Sequence, residues 1–182
     1  MWRATPELSG SGRASLARVV NRRAWTDTTS GVRTTWLSGA EWAAVLRIGL
    51  GLWWLESFRH KNLTAWIKRQ SGIKWAAEIA EKHKWAAVRR GFDSTVRPHP
   101  QAMTYVVLAS ELSLGIGLTL GFLTPIALFG SILLNLLYFV LMIHDWAEQG
   151  QNSMMVLAAA VALGLHSWQT WSIDHLIHIF GA

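Results

Sequence analysis

Four stretches of the chain are almost wholly apolar, and each is close to the roughly 20 residues that a helix needs to cross about 30 Å of hydrocarbon. They run from about Trp42 to Phe58, Met103 to Phe122, Pro125 to Ile143 and Ser153 to Thr170. The first is the least apolar, because it contains Arg47 and ends with Glu56. Thr124 and Pro125 divide the second from the third, with Thr124 as the expected N-cap and Pro125 in the first helical turn. So short a connection requires an antiparallel hairpin. A polar stretch, 144–152, precedes the fourth segment, and Trp171 to Phe180 either extends it or lies along the interface.

The remaining chain has a different pattern. Residues 1–40 are rich in Arg, Ser, Thr and Gly without apolar periodicity, and they lack the continuous apolar core of a signal peptide. They read as a tail or extended arm whose Trp25 and Trp36 either dip into the headgroup layer or dock on another subunit. The link 59–102 carries ten Lys and Arg and repeats Lys-Trp-Ala-Ala at 74–77 and 84–87. Its Ala, Glu and Lys content favours helix, although its apolar positions do not gather on one stripe. Arg97-Pro98-His99-Pro100 ends it. The predicted fold class is an all-α integral membrane protein. Its four-helix transmembrane bundle (41–182) has an extended N-terminal tail (1–40) and a basic, partly helical link between the first two spans.

Charge supports this picture. Only 15% of the 182 residues are charged, against about 25% in a soluble domain. All 17 Lys and Arg lie between Arg3 and Arg97, so nothing from Pro98 onward is a permanent cation. The net charge of +6 adjoins apolar spans, which makes the lipid bilayer, not nucleic acid, the expected counter-surface. The link outnumbers the tail in Lys and Arg, ten to six, so positive-inside counting puts the link in the cytoplasm and both termini outside. The absence of Cys excludes disulfides, thiolate metal sites, covalent c-type haem and cysteine nucleophiles. No metal site, catalytic triad or phosphate-binding loop stands out, so any redox cofactor is non-covalent.

Arg47, Glu111 and Asn135 fall inside apolar segments, where an unpaired charge is costly and a polar group is a functional candidate by default. At about 1.5 Å per residue, Arg47 lies about 8 Å from the tail-side surface, and Glu111 and Asn135 about 15 to 17 Å. The three could therefore meet, with Glu111 either protonated or ionised against Arg47. Glu56 is nine residues from Arg47, half a turn away around the helix, and needs another partner. With Arg59, His60, Lys61, Gln149, Gln151 and Asn152 it makes a polar mouth, which reads either as helix-end capping or as a ligand site. Gly117 and Gly121 share one face of the second span, and Gly49 and Gly51 bare the first. Close helix packing is the plainer reading and a cofactor cleft the sharper one. Trp53 and Trp54, with Trp42, Trp146, Trp168 and Trp171, read as an interfacial belt or as an aromatic wall for a quinone or pigment. His166 is the one His placed inside a span, either as a hydrogen-bonded core residue or as a single axial ligand to a pigment or haem.

Several ordered pieces resemble the DoxX/DoxD family, whose best-known members are small subunits of thiosulfate:quinone oxidoreductase. They are Leu46-Arg47-Ile48-Gly49-Leu50-Gly51, then Ser110-Glu111-Leu112-Ser113-Leu114-Gly115 and Leu120-Gly121-Phe122-Leu123-Thr124-Pro125. Gln151-Asn152 and Trp171-Ser172-Ile173-Asp174 complete the set, which covers about residues 42–176. The resemblance implies a four-helix membrane bundle in a bacterial or archaeal cell membrane, acting beside a redox partner and the quinone pool. It carries over Arg47, Glu111, Gln151, Asn152 and Asp174 as characteristic polar residues. The long tail and enlarged link depart from the family pattern and look like contact surfaces of a subunit rather than parts of an enzyme acting alone. The expected role is a subunit of a larger electron-transfer complex bordering a quinone site. The alternatives are a thiosulfate:quinone oxidoreductase subunit, hence quinone-linked oxidoreductase chemistry, and a pigment-associated subunit of a photosynthetic complex.

Overall fold

The computed structural model describes residues 37–181, and the predicted tail with Trp25 and Trp36 lies outside the described residues. The described chain is helical, with no strand among its residues. Helix α1 spans Gly39–Arg59. It starts earlier than its apolar run because Ser38 and Glu41 close a capping box, with the Glu41 N–H donating to Ser38 Oγ at 3.3 Å and the Ser38 N–H to Glu41 Oε2 at 2.7 Å.

The link folds as three short helices, α2 (Leu63–Arg69), α3 (Ser71–Glu81) and α4 (Ala86–Gly91), the last running into a π-helical turn at Phe92–Val96. Each has its own axis, which is why no single apolar stripe runs through the link sequence. Asn62 caps α2 by accepting from the Ala65 N–H at 3.0 Å. Ala80 of α3 is buried against Leu141 and Met142, with Ala76, Ile79 and Phe92 around them. His83, fully buried, donates from Nε2 to the Val140 carbonyl at 2.9 Å and accepts the Trp85 N–H on Nδ1 at 3.0 Å. With both ring nitrogens engaged, it is a pin between the link and the bundle.

Helix α5 spans Pro100–Leu120, opening on proline at its first position, and α6 spans Thr124–Leu141. Both are long and apolar enough to cross a membrane, and most of their surface is not buried within the protein, unlike a soluble core helix. Thr124 is not the N-cap expected from sequence: it is the first helical residue, after Leu123 in the left-handed region (φ 50°). Gly121 likewise belongs to no helical face, because it ends α5 with φ 69° and donates its N–H to the Gly117 carbonyl.

Helix α7 spans Trp146–Gly164, beginning seven residues before the expected Ser153. Asp145 starts it by accepting the Ala147 and Glu148 N–H groups at 3.0 and 3.2 Å. It also ends before residue 170. His166 therefore lies past the helix, exposed and left-handed (φ 53°), and not inside a span. The remainder is irregular, with one turn of helix, α8, at Ile173–Leu176.

Helices α1, α5, α6 and α7 close a ring in which α1 packs on α5 and α7, and α6 on both α5 and α7. The three- and four-residue connections make α5, α6 and α7 successively antiparallel. Leu50, Trp54, Leu114, Leu118, Leu128, Met155 and Ala159 form the core between them. The α1–α5 crossing is close because glycine faces glycine. A Cβ on Gly51 would stand 3.0 Å from the Gly115 carbonyl and collide with Thr119, and one on Gly115 would stand 2.7 Å from Leu55 Cδ2.

Candidate functional site

The polar residues of the bundle separate into two centres at different heights. The first gathers Arg47 and Asp174. Arg47, fully buried, donates from Nη1 to the Ser167 carbonyl at 3.0 Å and from Nη2 to the Trp171 carbonyl at 2.5 Å. Asp174, also fully buried, accepts the Leu123 N–H at 2.8 Å and the Thr124 N–H at 2.7 Å, and its own N–H donates to the Gly121 carbonyl at 2.9 Å. A carboxylate from the C-terminal segment thus caps α6, satisfying two of its otherwise orphaned donors and complementing its dipole. Ser172 packs so tightly on Gly121 that no side chain fits there. This centre is a latch that holds the irregular C-terminal segment to the α5–α6 turn.

The second centre surrounds Glu111. Arg47 stands beside Gly121, ten residues further along α5, or about 15 Å of helix. The two residues that sequence reasoning could bring together are therefore apart. Glu111 pairs instead with Lys61 of the link, and it accepts the Tyr138 hydroxyl at 2.9 Å. Lys61 further donates to the Ser57 carbonyl at 3.2 Å and to Ser57 Oγ at 3.1 Å, with its ammonium 5.2 Å from the centre of the Trp66 ring. Glu111 is 2% exposed, so the carboxylate and its ammonium partner form a part-buried ion pair at the foot of the link.

These groups open onto a cavity of about 250 Å³ between α1, the link, α5, α6 and α7. Asn135 and Asn152 line it, each buried to 2% exposure, as does Gln151. Asn135 donates to the Ser131 carbonyl at 2.8 Å, and Asn152 to the Glu148 carbonyl at 2.7 Å. Trp53, Trp54, Trp66 and Trp75 supply an aromatic wall. Trp54 does not belong to an interfacial belt: it is buried at 2% exposure and donates to Ser131 Oγ at 3.0 Å, tying α1 to α6. Glu56 stays outside this cavity, half exposed and paired with Arg59 (2.6 Å) and His60 (3.2 Å). No cluster of three or more His, Asp or Glu suited to a metal occurs among the described residues.

A larger cleft of about 700 Å³ runs between α5 and α6, lined by residues such as Ile116, Phe122, Ile126, Leu133 and Leu137. It is a furrow in the outer apolar surface. Convergent polar groups, which orient a ligand, are found in the smaller cavity.

Sequence reasoning missed Tyr138 and His83, and it placed Lys61 in the polar mouth beside Glu56 without pairing it to Glu111. Tyr138 carried a legible signal, because Ser131, Asn135 and Tyr138 recur at helical spacing and form a polar stripe on an otherwise apolar helix. The pairing of Lys61 with Glu111 and the anchoring of His83 on Val140 carried none, since those partners lie 50 and 57 residues away.

The arrangement defines a helical membrane protein with a part-buried, charge-paired and aromatic-walled chamber. The DoxX family matches residues 42–145, more than half the chain, and the protein belongs to that family. Arg47, Glu111 and Asn135 fall within the match, whereas Gln151, Asn152 and Asp174 lie beyond it. Comparison with curated proteins and with solved structures finds no match.

Proposed function

We propose that all four long helices cross the bilayer and that the protein is a subunit of a larger electron-transfer complex, with a quinone ring entering the Glu111 chamber. Helices α1 and α7 have 21 and 19 residues, or about 28 to 32 Å, enough to span the hydrocarbon. Their outward positions include Val45, Leu52 and Trp53 on α1 and Met154, Leu157 and Val161 on α7, while Arg47 is turned wholly inward. That distribution suits lipid on the outside.

The observation that carries the ligand reading is the chamber itself. A carboxylate that accepts a phenol hydroxyl and is paired with an ammonium gathers exchangeable protons beside the cavity. Beside it, an indole wall matches a flat conjugated ring. Proton supply next to a ring that gains electrons is what quinone chemistry requires. Electrons would come from a partner subunit, since the chain has no thiolates and quinone is the only redox group the reading needs.

The test is native purification from membranes in mild detergent, with mass spectrometry of co-purifying proteins, solvent extraction of quinone, and absorption spectroscopy. Stoichiometric redox subunits with about one quinone per chain are expected, and Glu111→Gln should lower the quinone content with the complex intact. An isolated protein free of quinone would overturn the reading, and stoichiometric pigment bands would move it to a photosynthetic accessory role.

A further inference from the structure

The positive charge of the link has no counterpart elsewhere in the protein. Its ten Lys and Arg stand against three carboxylates, Glu78, Glu81 and Asp93. Glu81 and Asp93 both engage Arg97, at 3.3 and 2.9 Å. Arg59 is held by Glu56, Lys61 by Glu111, and Arg89 donates to the His83 carbonyl. The other six cations, Lys68, Arg69, Lys74, Lys82, Lys84 and Arg90, are exposed, and none forms an ion pair among the described residues. The bundle cannot neutralise them. Glu41, Asp145 and Asp174 cap helices, and Glu56 and Glu111 are already paired. Among the described residues only Glu78 and Glu148 are left, and the tail 1–40 is itself basic, with six Arg against two carboxylates.

Position decides what supplies the missing negative charge. Helix α3 buries Gly72, Ile73 and Ala80 and leaves Lys74, Trp75 and Lys82 exposed around it. Trp75 lines the chamber together with Trp53 of α1, and both residues are about half exposed. Trp53 lies six residues before the end of α1, or about 9 Å along the axis. The exposed side of α3 therefore borders the last two turns of a helix whose outward positions suit lipid. That is the depth at which hydrocarbon gives way to headgroups, the level that Trp favours. Trp85 is also about half exposed, with the Lys84 ammonium 5.7 Å from its ring centre. Indoles at headgroup depth beside unpaired Lys and Arg fit a phosphate-bearing lipid surface, with the rings in the interfacial layer and the charged tips at the phosphates. An acidic protein would match the charge but gives no reason for indoles at the edge of the bilayer.

We infer that the exposed face of the link is a seat for anionic phospholipid headgroups, whose phosphates take the six unpaired cations while Trp75 and Trp85 enter the interfacial layer. This inference rests on the reading that all four long helices cross the bilayer, and it is independent of what occupies the chamber. A basic residue at an anionic surface gives about a fivefold preference, so a headgroup shared by two of them is favoured about tenfold or more over a zwitterionic one. The leaflet richer in acidic lipid is the cytoplasmic one. The same contact thus turns the link toward the cytoplasm, the side that the count of Lys and Arg also selects. Because Ile73, Trp75 and Ala76 of α3 line the chamber, headgroups seated on the link also steady one wall of that cavity.

The experiment places the full chain in vesicles of equal parts phosphatidylglycerol and phosphatidylcholine with matched acyl chains. The protein is extracted in mild detergent at about 0.15 M salt, and the lipid retained per chain is quantified by mass spectrometry. Phosphatidylglycerol should be retained about tenfold over phosphatidylcholine, and the ratio should fall toward one at about 1 M salt, where screening acts within about 3 Å. In the variant carrying Lys68→Gln, Arg69→Gln, Lys74→Gln, Lys82→Gln, Lys84→Gln and Arg90→Gln, the ratio should drop at least about fivefold. Its melting in vesicles of phosphatidylcholine alone should match wild type, because the replaced side chains are exposed and form no ion pair. The triple variant Lys82→Gln, Lys84→Gln and Arg90→Gln should fall between the two and keeps the test open if the larger variant does not fold. Equal retention of both lipids by wild type would overturn the inference, as would a ratio unchanged by the six substitutions. Loss of a co-purifying acidic protein from the variant, with the lipid ratio unchanged, would make the face a protein dock instead. Release of the wild-type chain from vesicles by alkaline carbonate would overturn the spanning reading and this inference with it.

Discussion

Replacing Asp174 by Ala removes the acceptor for two backbone donors at the start of α6 without touching that helix's sequence. The bonds to Leu123 and Thr124 are 2.8 and 2.7 Å long, and the Asp174 side chain that accepts them is fully buried, so water is poorly placed to replace the carboxylate. A hydrogen bond to a charged group contributes about 1.5 to 3 kcal/mol. The deletion also removes the structural anchor of the segment whose Ser167 and Trp171 carbonyls accept from Arg47. The contributions overlap, and about 3 to 5 kcal/mol is the reasonable total. In a chain of this size 1 kcal/mol corresponds to about 2 to 4 °C of melting temperature, so Asp174→Ala should melt about 10 °C lower. Asp174→Asn retains one acceptor but sets an amide N–H against the other donor, and about two-thirds of that loss is expected. Melting in detergent, followed by the monodisperse fraction on size exclusion, gives the comparison. A drop below about 3 °C for Asp174→Ala would refute the capping argument. Quinone content per folded chain should be unchanged in both variants, because the latch and the chamber are different centres.

Lys61→Met strands the Glu111 carboxylate beside Tyr138 and should destabilise the fold by about 3 to 5 kcal/mol, while Lys61→Met with Glu111→Gln should recover most of the loss. Melting of the two singles and the double tests this, and simple additivity would show that the pair is not coupled. Gly51→Val should prevent α1 from seating on Gly115 and Thr119, giving aggregated protein on size exclusion. Gly49→Val, whose Cβ meets nothing within 4 Å, should remain monodisperse. Equal behaviour of the two would remove the glycine contact as the determinant of the α1–α5 crossing.

The composition and apolar periodicity determine a great deal about this protein. Long apolar runs demand helices that bury or lipid-coat their surface, and the three residues between α5 and α6 leave only an antiparallel hairpin. The polar stripe of Ser131, Asn135 and Tyr138 is written at helical spacing as well, and Arg47 and Glu111 stand out wherever charge is rare. What remained hidden is how the helices are staggered. Their relative height follows from the Gly51–Gly115 contact and from the link folding back onto the bundle, and both are long-range packing events with no local signature. That stagger puts Arg47 level with Gly121 instead of Glu111, gives Glu111 a lysine from the link, and sends Asp174 back 50 residues to cap α6. A helix repeats its own faces every few residues, so sequence reports which side chains share a face. Which faces meet, and at what height, is decided only when the backbones come close enough to exclude one another.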